Sequence, residues 1–405
     1  MKTAKFKDSP LGPIPQDWEV KRLGDEAKIN RGGSPRPIES WLTTSVDGIN
    51  WIKIGDVAEG AKYICSTAER IMPEAVQFSR AVMPGDFLLS NSMSFGRPYI
   101  LKIPGCIHDG WLTIQNYKDS FDCEYLYYIL GSEAVFQQYV ALADGSSVKN
   151  LNKDKVENVH VPCPPLPEQQ CIAEALGEVD KLIESLDEQI EKKRLIAKGV
   201  AHDLLSAKKR LPGFRGEWRC AHLGTLVDFI TDTIATKDID TRKYVSTDNM
   251  LSNLAGVTPN KSIVPYASVR EFKSGDILLS NIRPYLKKMW FADYDAGCST
   301  DVLVLRVVAD LIDSRFLYRV LARDTFFEFV SAKAVGTKMP RGDKRVIAVF
   351  QVPIPQLAEQ QAIADLLGEQ DAAIAALEAK REKYAYIKEG MMRDLLTGRV
   401  RVKGE

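Results

Sequence analysis

The sequence predicts an α+β chain of two similar halves, each a mixed domain followed by a long helix, with the two helices paired as an antiparallel coiled coil. Three observations predict it. "LPEQQCIAEAL" at 166–176 returns as "LAEQQAIADLL" at 357–367. After each copy the apolar residues fall on a heptad seam. Before each copy, strand-like and helix-like stretches follow in the same order.

Pro353 lies 191 positions after Pro162, and at that offset the two copies stay in register without a gap. Glu168-Gln169-Gln170 meets Glu359-Gln360-Gln361, and Asp203-Leu204-Leu205 meets Asp394-Leu395-Leu396. Looser echoes precede them: "PGDFLLSN" (84–91) with "SGDILLSN" (274–281), "RPYI" (97–100) with "RPYL" (283–286), and "DWEVKRLGD" (17–25) with "EWRCAHLGT" (217–225). A repeat this long is a duplicated domain and not a solenoid.

Taken in order, the first half (1–160) offers short strands at "INWIKIGDV" (49–57), "GDFLLSN" (85–91) and "GWLTIQN" (110–116), then one helix over 123–143. A proline run then blocks helix up to Pro167, so the first long helix is expected from Glu168 to Ser206, about 58 Å at 1.5 Å per residue. Its seam is Ile172, Leu176, Val179, Ile183, Leu186 and Ile190, spaced 4, 3, 4, 3, 4. This first spacer segment takes 161–210. The second half (211–350) repeats strands at 275–281 and 300–308 and a helix at 314–332, and the second spacer helix with its tail takes 351–405. The second seam, with Ile363, Leu367, Ile374 and Leu377, is more polar, carrying Gln370, Arg381 and Lys388. Each long helix starts acidic and ends basic. That charge order suits the helix dipole, and it favours antiparallel over parallel pairing of the two helices. A seam alone is compatible with each helix lying only on its own domain; the duplication is what argues for pairing.

Composition excludes several classes. Lys plus Arg and Asp plus Glu both number 54, so whole-chain charge points to no polyanion, and a nucleic-acid binder would have to gather its basic residues locally. No apolar run reaches the ~18–20 residues of a membrane span, and the first residues lack the apolar stretch of a signal peptide; a cytoplasmic chain is expected. The seven cysteines are scattered with no C-x-x-C pair, which argues against a disulfide framework or zinc site.

Catalytic patterns are missing: no Walker loop, no H-E-x-x-H, no G-x-S-x-G elbow. "EFK" (271–273) with Asp248 upstream could belong to a nuclease, but such tripeptides are common by chance, and "HDG" (108–110) reads as a turn. What recurs at matching places are loops rich in Asn, Ser, Arg, Gly and Lys: 90–99 and 280–285 after a strand, 144–156 and 335–346 before each long helix, and "NRGGSPRP" (30–37) and "TRKYVSTDNM" (241–250) near the start of each half. Arg and Asn suit base edges, and Lys suits phosphates. The expected DNA contacts are Asn91, Arg97, Asn281 and Arg283, with Lys149, Lys338 and Arg341 on phosphates. No residue is expected to be catalytic or to bind metal.

On "GPIPQDWEVKRLGD" near the start, the doubled P-x-P-x-L-x-E-Q-Q-x-I-A at 162–173 and 353–364, the doubled "DLL" and the closing "TGRVRV", the chain resembles the specificity subunit of type I restriction–modification systems over essentially its whole length. The resemblance implies two target-recognition domains reading a bipartite double-stranded DNA target. It implies helices that space the readers and dock two modification subunits, adenine methyltransferases carrying S-adenosylmethionine, and a motor-nuclease subunit that joins for restriction. The chain itself would be a non-enzyme holding no cofactor. Because "GGSPRPIESWLTTSVDGINWIKIGD" has no counterpart in the second half, the target should be asymmetric. Two alternatives stay open: a related modification-only system without a motor-nuclease, and a coiled-coil scaffold that reads no DNA.

Overall fold

The computed structural model describes residues 5–58, 60–91, 95–143, 151–308, 311–334, 336 and 340–402. The chain forms two compact units, one of residues 1–187 with 379–405 and one of residues 188–378. Among the described residues each unit has two larger sheets beside two-stranded ribbons. In the first unit one five-stranded sheet orders its strands as Lys28–Arg31, Trp111–Gln115, Phe87–Ser90, Pro98–Leu101 and Tyr63–Ile64. The second unit repeats the first four as Val227–Ile230, Val302–Val307, Ile277–Ser280 and Met289–Phe291. The register repeats as well: Phe87 faces Ile114 and Ser90 faces Trp111, as Ile277 faces Leu305 and Ser280 faces Val302. These central strands are buried on both faces, which is why they read as continuous apolar runs instead of alternating ones.

The second sheets differ. The first unit has five strands, Leu42–Thr43, Glu69–Ile71, Ile49–Ile52, Gly105–Ile107 and Arg80–Val82; the second has three, Thr233–Ala235, Ser268–Phe272 and Ala296–Cys298. The extra strands bury Trp51, Ile71, Ala75 and Cys106 in a small core of their own. Two of them, Leu42–Thr43 and Ile49–Ile52, lie in the stretch without a counterpart in the second half.

Two expected helices are broken. Residues 123–143 form Cys123–Leu130 and Glu133–Ala143, parted at Gly131-Ser132, where the Ser132 hydroxyl turns back to the Ile129 carbonyl (2.7 Å). Residues 314–332 form Ser314–Leu321 and Asp324–Ala332. The long helices run Leu166–Leu205 and Leu357–Leu395. The first starts two residues earlier than expected, because a proline in the first turn lacks only an N–H that the helix does not use.

The first unit holds the start of the first long helix and the end of the second. Ile172 and Leu176 share its main core with Leu395 and Leu396, and Lys388 pairs with Asp180 (2.5 Å) and Arg381 with Asp187 (3.0 Å). The second unit holds the reciprocal pair of ends. Ile363 and Leu367 share its core with Leu204 and Leu205, and Arg194 meets Glu378 (2.6 Å). The pairing is antiparallel, acid to base. The repeated "DLL" is thereby explained: two leucines at the end of one helix enter the core that holds the start of the other.

The repeated Glu-Gln is explained too. Glu168 accepts from the Trp18 indole N–H (3.0 Å) and from Arg401 through both carboxylate oxygens (2.5 and 2.6 Å). Glu359 likewise accepts from Trp218 (3.2 Å) and Arg210 (2.5 and 2.7 Å). Gln169 takes the backbone N–H of Asp122 (2.8 Å) and donates to the Pro164 carbonyl (2.9 Å); Gln360 does the same with Asp313 (2.8 Å) and Pro355 (2.8 Å). Asp122 and Asp313 cap the next domain helices, so each glutamine ties a long helix to its own domain. Both arginines sit three residues past a left-handed residue that ends a long helix, Ala207 (φ 58°) and Gly398 (φ 70°). At 398 a Cβ would also strike Pro15, 2.3 Å away, so glycine is required there twice over.

Candidate nucleic-acid interface

In each unit three segments meet at the end of the central strand. The Asn91 N–H donates to the Gly110 carbonyl (3.1 Å) and its carbonyl accepts from Leu151 N–H (3.0 Å). The Asn281 N–H donates to Asp301 (2.8 Å) and its carbonyl accepts from Gly342 N–H (3.0 Å). The loop after the strand, the loop before the neighbouring strand and the loop before the long helix are thus clamped together at the same place twice.

Asn91, an expected DNA contact, sits inside this junction. It is 3% exposed, and its side-chain amide donates to the Asp109 carbonyl (3.0 Å). Such a residue anchors loops, and exposing it would break their junction. Asn281 holds the equivalent junction and is only half-exposed; its Oδ1 is buried with no hydrogen-bond partner. Arg97 is half-buried, its guanidinium 5.8 Å from the Tyr99 ring. Arg283 is exposed and left-handed (φ 51°), tied by its N–H to the Pro340 carbonyl (2.8 Å). Arg341 is exposed beside it in chain pairing, bridging to Ile282, and its guanidinium meets Asp301 (3.1 Å). Asn281, Arg283 and Arg341 are therefore brought together. Lys149 and Lys338 lie outside the described residues.

Sequence reasoning missed a cluster in the first unit. Asp109 receives Ser34 Oγ (2.9 Å) and Arg36 (3.4 Å) on its carboxylate and Arg31 Nε (3.0 Å) on its carbonyl. The Ser34 hydrogen bond holds the Asp109 carboxyl below the usual carboxylate range. Beside it, burial pushes the His108 imidazole below its ordinary value, so it is neutral at pH 7. Residues 30–37 and 108–110 each looked like a turn or polar loop; nothing local in the sequence joins position 34 to 109.

Zero net charge hides a segregation. In the second unit a groove is lined by Arg194, Lys198, His202, Lys287, Arg319 and Arg323 against Asp324 and Asp371. In the first unit a groove is lined by Glu124, Glu174, Glu178, Asp180 and Glu184 against Lys62 and Lys181. Among the described residues no group of three His, Cys, Asp or Glu side chains stands close enough to hold a metal ion. No described helix is long and apolar enough to cross a membrane.

A family model, the type I restriction modification DNA specificity domain, matches residues 15–193 and again 223–384. The type I restriction enzyme MjaVIII specificity subunit of Methanocaldococcus jannaschii is 26% identical, covering 99% of this chain and 97% of its own. The EcoDI specificity subunit of Escherichia coli is 23% identical over 87% of this chain and 81% of its own. The crystal structure of a type I restriction–modification S subunit from M. genitalium shares the fold with a TM-score of 0.57 at 15% identity, covering 97% of this chain and 98% of that one.

Proposed function

The chain belongs to the type I restriction modification DNA specificity family, and from that premise we propose that it reads a split, asymmetric DNA sequence, one half-site per unit, and docks modification subunits on its long helices. The carrying observation is the doubled loop junction with different side chains on it: Arg31, Ser34, Arg36 and Asp109 in one unit, Arg283, Arg341 and Asp301 in the other. Two copies of one scaffold with unlike reading groups suit a target of two unlike halves. The chain supplies recognition, while S-adenosylmethionine and adenine methylation belong to the modification subunits and DNA translocation and cleavage to a motor-nuclease. In the basic groove of the second unit Arg194, Lys287 and Arg319 already pair with Glu378, Asp324 and Asp371, so the positive charge it leaves for DNA phosphates is small. The acidic groove of the first unit suits a basic partner surface.

A methylation map of the source genome, by long-read sequencing with this gene present and deleted, tests the proposal. Loss of one split, asymmetric adenine-methylated motif supports it; an unchanged map in a host that expresses the modification subunits refutes it. Within that motif, Arg283→Ala should weaken binding by ~1–3 kcal/mol and relax one position if the guanidinium reads a base. A uniform loss across sequences with a shallower salt dependence would assign it to the backbone.

A further inference from the structure

Arg36 reaches Asp109 through a single long hydrogen bond (3.4 Å), and its side chain is 82% exposed. A guanidinium has five N–H donors, so most of the fork stays free. Asp109 is fixed from several sides. Its carbonyl accepts from both Arg31 Nε and Asn91 Nδ2 (3.0 Å each), its carboxylate from Ser34 (2.9 Å), and its own N–H meets the Ser34 hydroxyl (3.3 Å). An exposed arginine is thus backed by a carboxylate held in place by the same loop junction that organises the unit. A phosphate contact needs charge above all, and lysine supplies it as a point charge. A bidentate contact to guanine O6 and N7 needs the planar fork held in one orientation. In the second unit an exposed Arg341 is backed by Asp301 (3.1 Å) at the same strand end, with the arginine supplied by a different loop.

We propose that Arg36 reads a guanine in the half-site of the first unit, with Asp109 as its positioning residue. This rests on the reading of the chain as a DNA specificity subunit. It assigns a single base contact to Arg36, which lies inside the stretch of the first half that has no counterpart in the second.

The test is a long-read methylation map of cells carrying the full chain with its modification subunits, for the parent and for R36A, R36K and D109N. All three variants should accept other bases at the same single position of one half-site, where discrimination falls by on the order of tenfold to a hundredfold. The other half should stay unchanged. A motif kept intact by R36K but lost by R36A would reduce Arg36 to a phosphate contact and overturn the proposal. So would an intact motif in R36A, or a D109N variant that lowers methylation evenly at every site. Arg36 is exposed enough that R36K should melt with the parent, so its map decides even if D109N misfolds. Failure of the underlying reading looks different: deletion of the parent gene would then remove no motif at all.

Discussion

Glu168→Ala should lower the unfolding free energy by about 3 kcal/mol, the low end of the ~3–5 kcal/mol lost when one partner of a buried ion pair is removed. Glu168 is 8% exposed and serves three donors at once: the indole N–H of fully buried Trp18 and two nitrogens of Arg401. Alanine strands the Trp18 indole N–H and the Arg401 Nε. The low end applies because Arg401 is a quarter exposed and keeps Asp17, at 2.8 Å to both oxygens. Glu168→Gln retains an acceptor for Trp18 and should lose less. Urea unfolding of the purified chain reads both values; an alanine variant as stable as the parent would mean that the segment after the second long helix does not close on the first unit in solution. The same contact predicts an acid limb. Arg401 holds the Asp17 carboxyl below its ordinary value of 3.8. Its contribution is therefore full above that pH and is lost as pH falls through the depressed value.

The clamp shows what the sequence could and could not reveal. The duplication, the heptad spacing and the acid-to-base order along each helix are local patterns, and they led to the paired antiparallel helices directly. "EQQ" was visible as a repeat, and "DW" through its looser echo "EW", but their purpose was not. Trp18 and Glu168 lie 150 positions apart, and Arg401 lies 233 beyond Glu168. Only the fold brings them to one carboxylate. The helix breaks at 131–132 and 322–323 were missed for a related reason. The apolar spacing continues across them, and the second break has no glycine or proline to mark it. Among the expected DNA contacts, exposed Arg283 and Arg341 came from loop chemistry alone. Asn91 was chosen by the same chemistry and lies buried, because an amide that suits a base edge suits a backbone carbonyl equally well.

Leu176→Ala should cost ~2–5 kcal/mol, whereas Ile183→Ala, two turns further along the same seam, should cost about 1 kcal/mol. A uniform heptad reading treats the two alike. Leu176 is fully buried and belongs to the main core of the first unit with Tyr125, Leu126 and Leu395, so truncation leaves a cavity walled by a packed domain. Ile183 is half-buried, and the nearby helix-to-helix contact in that unit includes the exposed pair of Arg381 with Asp187. Such surface pairs contribute roughly 0–1 kcal/mol. In the second unit Leu367 is 3% exposed while Ile374 and Leu377 are half-buried, so Leu367→Ala should outweigh Ile374→Ala in the same way. Equal losses at 176 and 183, measured by urea unfolding, would instead make the seam a uniformly packed coiled coil. The expected inequality has a functional consequence. Each domain would grip the start of one helix and the end of the other in a single core, so a mutation that loosens either core would disturb reading and pairing together. Within the seam Leu186 and Ile190 stay buried, at 2% and 6% exposure, so only half-buried positions such as Ile183 would be free to vary with little effect on either.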